Sequence, residues 1–359
     1  MRRASSRAAI LLAAVLFAGM SLALRSAADA AEGRLTYPVT RRGDHVDDYH
    51  GTKVPDPYRW LEDPDSPETR AWVTAQNKVT FGYLESIPAR KTLQERLTEL
   101  WNFERFTAPQ QRGGRYFYTR NDGLQNQNVL LVAESLNGSP RELLDPNKLS
   151  KDGTVALAGW AVSNDGQYLA YGLATAGSDW HEWKVREVGA GRDLTDDVRW
   201  VKFSGVSWTT DNRGFYYSRY DAPPPGQELT QTNYYQKLFC HRLGTPQDQD
   251  VLIYQRQDHK EWGFNGEVTE DGQYLVITVR RGTEHKKQIF FKPLADPQAP
   301  VVEWLAGFDA GYQFLGNDGK TFWLLTDADA PLRRIVAVDT DQPARAKWRV
   351  VVPEGQSVI

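Results

Sequence analysis

Five segments of this chain share one design: a tight polar turn followed by a strand that opens on an aromatic residue. They are Gly113-Gly114-Arg115-Tyr116, Asp165-Gly166-Gln167-Tyr168, Asp211-Asn212-Arg213-Gly214-Phe215, Asp271-Gly272-Gln273-Tyr274 and Asp318-Gly319-Lys320-Thr321-Phe322. Successive leading aromatics stand 52, 47, 59 and 48 residues apart. A period near 50 with several short strands per unit is the signature of propeller blades. Asp-Gly and Asn-Gly close tight hairpins at low steric cost. A single four-stranded sheet cannot bury both of its faces, so the units must stack. An ordinary β-sandwich is the alternative, and its strand spacing is less regular.

The rest of the sequence fits this reading. Short apolar or aromatic runs occupy 115–118, 129–133, 168–173, 215–219, 274–280, 288–292, 321–325 and 334–338, with Gly, Asp and Asn clusters between them. The 12 Trp, 16 Tyr and 14 Phe, with 29 Gly and 19 Pro, suit many short strands and tight turns. The expected fold is mainly β, a propeller of five visible blades over 106–359. Val350-Val351-Val352-Pro353 reads as the start of something unfinished.

Two other segments precede the repeats. Residues 1–30 have the layout of a secretory signal peptide: a basic start at Arg2, Arg3 and Arg7, an uncharged run from Ala8 to Leu24, and Ala28-Asp29-Ala30 at a cleavage position. The alternative is a retained anchor, because the run is near the lower limit for a span. Export to a periplasmic or extracellular location is expected, with no membrane contact after cleavage. Residues 31–63 are polar and turn-rich. A helix is then expected, with Ser66 as N-cap, Pro67 at the first helical position and Glu68 at its positive end. Trp72, Ala75, Val79 and Tyr83 recur at helical spacing, and Pro88 ends the pattern. A second helix runs from about Lys91 to Trp101, with Leu93, Leu97, Leu100 and Trp101 on one face. The helical segment is placed at 31–105.

Motifs that carry chemistry are scarce. The net charge of −3 argues against nucleic-acid binding by phosphate neutralisation. There is no Gly-x-Ser-x-Gly elbow; Ser207 comes closest and reads as a strand residue. His45, His50, His181, His241, His259 and His285 are scattered singly, without metal-ligand spacing. Gly189-Ala190-Gly191 is a turn rather than a dinucleotide loop. The lone Cys240 reads as a half-buried strand thiol. Asp179, Glu182, Asp196 and Asp197 could serve a five-bladed glycosidase as an acid pair, but as turn and edge charges they need no such role. From residues alone, no catalytic, metal-binding or cofactor-binding site is assigned.

The segments Tyr37-Pro38, Asp47-Asp48-Tyr49-His50-Gly51, Val54 through Ser66 and Ala75-Gln76-Asn77-Lys78 closely resemble the N-terminal signature of the prolyl oligopeptidase family. Gly123 to Gln127, Leu144 to Asn147, Asp152 to Leu157, Tyr171-Gly172, Gly177-Ser178-Asp179-Trp180 and Val201-Lys202-Phe203-Ser204 resemble its first propeller blades. The similarity runs from about Leu35 to Pro353. The resemblance implies a serine endopeptidase that cuts short peptides after proline, with no metal or organic cofactor. In that family a C-terminal α/β-hydrolase domain carries the Ser-Asp-His triad, and a seven-bladed propeller gates access to it. The N-terminal helices belong to the hydrolase side.

On that resemblance the chain ends before the triad, with about five of seven blades. No catalytic residue can be carried over, the substrate-binding residues are not identifiable, and residues 31–359 are expected to be inactive alone. An open arc of blades is also expected to expose apolar faces and to aggregate. The competing readings are a free-standing secreted propeller that binds peptides or a protein, and a carboxylate glycosidase.

Overall fold

The computed structural model describes residues 35–359, so the expected signal peptide at 1–30 lies outside the described residues. The chain divides into two compact units, one up to Leu100 and one from Trp101 to Ile359. No helix among the described residues is long and apolar enough to cross a membrane.

The first unit opens with a hairpin of β1 (Val46–Tyr49) and β2 (Thr52–Pro55). The polarity of 31–63 had concealed it. His50 and Gly51 turn it with φ of 56° and 88°, and Asp48 Oδ1 accepts the Gly51 N–H at 2.7 Å. The Asp-Pro-Tyr-Arg-Trp-Leu-Glu-Asp run becomes a 3-10 turn over Arg59–Glu62. Arg59 holds it together through Asp47, Asp56 and Glu62. Helix α1 (Pro67–Ser86) starts as its residues dictate, with the Ser66 side chain accepting from Thr69 N and Pro67 at the first position. Trp72 donates its indole N–H to Thr40 at 2.9 Å. Helix α2 (Arg90–Trp101) follows, and its Leu93, Leu97, Leu100 and Trp101 are all exposed.

The second unit consists of five successive antiparallel blades. Blade one has β3 (Arg105–Phe106) and β4 (Gln110–Arg112), both pairing β5 (Arg115–Asn121), then β6 (Val129–Ala133) and β7 (Arg141–Leu144). Blade two has β8 (Val155–Val162), β9 (Tyr168–Thr175), β10 (His181–Glu187) and the first part of β11 (Arg192–Trp208). The second part of β11 begins blade three, which adds β12 (Gly214–Arg219), β13 (Lys237–Arg242) and β14 (Val251–Tyr254). Blade four is β15 (Trp262–Val268), β16 (Tyr274–Arg281), β17 (Lys287–Pro293) and β18 (Val302–Ala310). Blade five is β19 (Tyr312–Asp318), β20 (Thr321–Thr326), β21 (Arg334–Asp339) and β22 (Arg349–Val352). Val350-Val351-Val352 therefore starts nothing new: it is the outer strand of blade five, paired with β21. Among the described residues neither a strand pair nor an apolar core joins blade five to blade one, so the sheets do not close into a ring.

Each leading aromatic of the repeat lies on the strand that pairs with the first edge of its blade: the second strand in blades two to five, and β5, which pairs with both β3 and β4, in blade one. Strand alternation then sends neighbours to opposite faces. Phe215 and Tyr217 join the core shared with blade two, while Tyr216 joins the core shared with blade four. Tyr274 and Phe322 meet edge to face, centroids 5.2 Å apart, between blades four and five. Phe117, Leu130, Leu169 and Tyr171 fill the gap between blades one and two. Each interface between successive blades thus has its own apolar core, which is why the period recurs.

The turns repeat in detail. In Ser163–Gly166, Thr209–Asn212 and Thr269–Gly272 the hydroxyl bonds the aspartate two residues on. That aspartate accepts the N–H of the second residue after it. Gly166, Asn212 and Gly272 carry φ of 71°, 56° and 71°.

Candidate functional site

The first strands of the blades surround a central space of about 1060 Å³, lined among others by Arg112, Ser207, Asn265, Glu267, Glu270 and Asp271. Ser207 behaves as a strand residue, its Oγ accepting from Val268 N at 2.9 Å. Glu267 is exposed to this space, and the surrounding protein still strips away enough water to push its carboxyl up. Asp271 is committed to Thr269, Gln273 and Asn317.

None of the four acids singled out in the sequence lines that space. Asp179 is exposed, with Lys202 Nζ at 3.9 Å, and Glu182 is exposed on β10. Asp197 pairs with Arg199 at 2.7 Å. Asp196 corrects the turn-and-edge reading: its side chain is wholly buried inside β11 against His241. The histidines also separate. His45 bonds Asp47, His50 forms the β1–β2 turn, His259 stacks on Trp262 at 3.9 Å, and His285 bonds Asp327 at 2.5 Å. Burial holds the His181 imidazole below its ordinary range. His241 is not a lone strand histidine, because carboxylates flank both of its ring nitrogens. Gly191 closes the β10–β11 turn with φ 66°. Cys240 is half-buried on β13.

A different cluster lies at the end of the blades away from the repeated turns. The loop after β9 carries Trp180, whose indole N–H bonds the Glu228 carbonyl at 2.7 Å. Trp180 packs edge-on against Trp200 at 5.7 Å and Tyr220 at 6.1 Å. Lys202 Nζ sits 4.7 Å from the Trp180 ring and 5.6 Å from the Phe203 ring. Arg280 also lies over the Phe203 ring at 5.4 Å and bonds the Phe203 carbonyl at 3.0 Å. Gln236, which is buried, ties these groups together: its amide donates to Lys202 O at 2.8 Å and accepts from Arg280 and from Phe264 N.

Phe203 is the unusual member. It is 53% exposed and has φ 56°. A bulky residue held at positive φ is strained, and such strain clusters at binding sites. Trp200, also at positive φ (61°), stands just before it where β11 passes from blade two to blade three. The result is an exposed aromatic ring beside two cations. It can pack a flat apolar ring, as aromatic-lined grooves do with proline-rich segments, and it can attract an anionic group. Sequence reasoning missed this cluster because its parts come from three blades. The signal was present, since Gly177–Trp180 and Val201–Ser204 are two of the segments that carried the family resemblance.

The chain matches the family model "Prolyl oligopeptidase, N-terminal beta-propeller domain" over residues 38–359. It is 37% identical over 320 residues to a prolyl endopeptidase of Elizabethkingia meningoseptica, covering 89% of this chain and 45% of that protein. A solved structure, from an analysis of two prolyl endopeptidases and the role of inter-domain dynamics in their catalysis and specificity, aligns with a TM-score of 0.79. It shares 33% identity and covers 89% of this chain and 47% of its own. Prolyl oligopeptidase B of Galerina marginata, bound to a 35mer hydrolysis and macrocyclization substrate, aligns with a TM-score of 0.78 at 29% identity, covering 89% and 48%. The chain spans about half the length of the curated relatives it matches.

Proposed function

Because the chain belongs to the prolyl oligopeptidase family, of which it carries the N-terminal propeller portion, we propose that it is the substrate-gating part of a serine endopeptidase that cleaves short peptides after proline. The observation that carries this reading is the exposed, strained Phe203 beside Lys202 and Arg280. It offers a prolyl ring an aromatic surface and leaves the covalent chemistry to another part of the enzyme. Attack on a peptide carbonyl needs an activated nucleophile and an oxyanion site. In this reading both come from an α/β-hydrolase domain, to which 31–105 also contributes its helices. The exposed apolar residues Leu93, Leu97 and Leu100 of α2 suit that role. Export through residues 1–30, to the periplasm or beyond, is part of the same proposal and rests on their three-part layout.

The test uses the purified protein and a proline-containing chromogenic peptide. The expected result is no turnover by residues 31–359 alone, and turnover sensitive to a serine-reactive inhibitor once the family's hydrolase portion is joined to it. Inhibitor-sensitive turnover by the chain alone would overturn the division of labour. Tight peptide binding without any gain from the hydrolase portion would favour a free-standing binding module. Intact mass from the native source tests export: a species beginning after Ala30 is expected, and a retained N-terminus counts against it.

A further inference from the structure

Within the seam between blades two and three lies a chain of polar side chains that reaches neither Phe203 nor the central space. The side chains of His241, Asp196 and Asp250 are all wholly buried. His241 Nε2 stands 2.9 Å from Asp196 Oδ1, and Nδ1 stands 2.7 Å from Asp250 Oδ1. Ionised carboxylates only accept, so a ring nitrogen without a proton would face a lone pair. The cluster therefore holds an extra proton, and imidazole, the stronger base, takes it ahead of a carboxylate.

The surrounding donors support that charge state. Asp196 Oδ1 also accepts the Gly244 N–H at 2.8 Å. Asp250 Oδ2 accepts the Tyr217 hydroxyl at 2.5 Å, and the Tyr217 hydroxyl oxygen in turn accepts from the Gln247 amide at 3.1 Å. From β11, then, the charged group facing His241 is Asp196; from the segment before β14 it is Asp250. Tyr217 on β12 acts through Asp250, and the Phe215 ring tilts over the imidazole at 5.1 Å. On β13 itself the neighbours are Cys240 and Arg242, which alternate to the opposite face.

Asp196 lies where β11 still pairs with β10 of blade two, between the Arg186–Asp193 and Lys184–Asp197 pairs. His241 pairs with Phe215 inside blade three. We infer that Asp196–His241–Asp250 is a proton-controlled clamp across the seam between blades two and three, closed while the ring is an imidazolium and released when it loses a proton. Release leaves two buried carboxylates with one fewer donor, a costly state in a dry interior.

The sign follows from the two opposing causes. Burial alone would push His241 down, but the bonds to Asp196 and Asp250 outweigh it and hold the ring up at about 9. In the unfolded chain it titrates near ~6.5. The clamp's contribution is whole below that value, shrinks up to about tenfold per pH unit above it, and is gone once pH passes the folded value.

The test is nitrogen NMR of protein labelled with 15N-histidine, joined to hydrogen exchange from pH 7 to 10. One ring is expected to be imidazolium at pH 7.5 and to titrate above pH 8. Over the same range, exchange in 192–208 and 237–254, corrected for intrinsic rates, should rise about tenfold or more relative to β19–β21. Asp250→Asn keeps an acceptor but removes a charge, so it should move the transition down by about one pH unit or more. If that variant does not fold, the wild-type ring state decides. A buried ring already neutral at pH 7.5, exchange rising equally in all blades, or an unmoved transition in a folded Asp250→Asn variant would each overturn the clamp.

Discussion

Gly172 and Trp183 are direct cross-strand partners on β9 and β10, and the indole lies flat where a side chain at 172 would go. A Cβ built there meets Trp183 Cε2 at 2.8 Å and Nε1 at 3.1 Å. Trp183 is buried, with Val185, Trp208 and Phe215 in the same core, so the ring has nowhere to move. Gly172→Ala is expected to cost about 1–3 kcal/mol through overpacking. Gly159 touches the far edge of the same indole at 3.4 Å, ordinary contact distance, so Gly159→Ala should cost under about 1 kcal/mol. Urea unfolding of both variants checks the order; equal costs would mean that Trp183 does not set the requirement.

Asn212 performs two tasks in the blade-three turn. It holds φ 56°, and its Oδ1 accepts the backbone N–H of Asn164 in the blade-two turn at 2.7 Å. Asn212→Gly keeps the conformation and loses the bond, for about 1 kcal/mol. Asn212→Ala loses the bond and adds left-handed strain, for about 2–3 kcal/mol in all. The difference between the two variants, read from denaturation midpoints, isolates the strain.

Phe203 separates stability from function. Phe203→Gly relieves left-handed strain of about 1 kcal/mol. It forfeits exposed contacts to Lys202 and Arg280 worth about 0.5–1 kcal/mol each. These nearly cancel, so the unfolding free energy should change by less than about 1 kcal/mol. On the proposed function, kcat/KM for a prolyl peptide in the assembled enzyme should still fall about tenfold, the equivalent of one well-packed ring contact. Unchanged kcat/KM would remove Phe203 from the substrate surface.

Cys240 should react slowly. Burial, reinforced by the charge of Asp250, pushes its thiol up to about 11. At pH 7.5 its thiolate fraction is then about two orders of magnitude below that of an ordinary thiol. Labelling with an aromatic disulfide reagent should be slower by a similar factor in the folded protein than in urea. Equal rates would place the thiol at the surface.

The parts of the fold legible in sequence were those with strong local signals. The Asp-Gly turns and the aromatic-led strands announce themselves because turn chemistry and burial on both faces leave little freedom. Outer and inner strands were concealed: Arg349–Val352 is exposed throughout, and Arg192–Trp208 is interrupted by charges and by the positive φ of Trp200 and Phe203. The β1–β2 hairpin was invisible for the same reason, having no buried face to impose alternation. The candidate site was present only as separate motifs. Nothing local to Trp180, Lys202 or Arg280 says that they converge, since that convergence is a property of how three blades stack. His241 shows the same limit, because its acidic partners are 45 residues before it and nine after it.

The last prediction concerns acid. Arg186 grips Asp193 with two bonds, at 2.7 and 3.0 Å, and donates a third to the Leu143 carbonyl of blade one at 2.7 Å. Its guanidinium also lies 5.6 Å from the Tyr171 ring centroid. Partial burial would push the Asp193 carboxyl up, but Arg186 outweighs it and holds the group below its ordinary range. A depressed carboxylate stabilises the fold fully above its unfolded value, ~3.9, and the contribution is lost as pH falls through the folded value. Asp193 is 40% exposed, so solvent screening limits the pair to about 0.5–1.5 kcal/mol at neutral pH. Asp193→Asn should therefore be destabilised by that amount at pH 7, and the gap to wild type should close as pH falls below ~4. Arg186→Lys should cost more, because one ammonium cannot replace a two-pronged grip on Asp193 and also reach Leu143 across the blade interface. Unfolding curves at pH 7 and pH 3 distinguish the cases: a gap between Asp193→Asn and wild type that persists undiminished at pH 3 would mean that packing, not charge, holds this part of the interface between blades one and two.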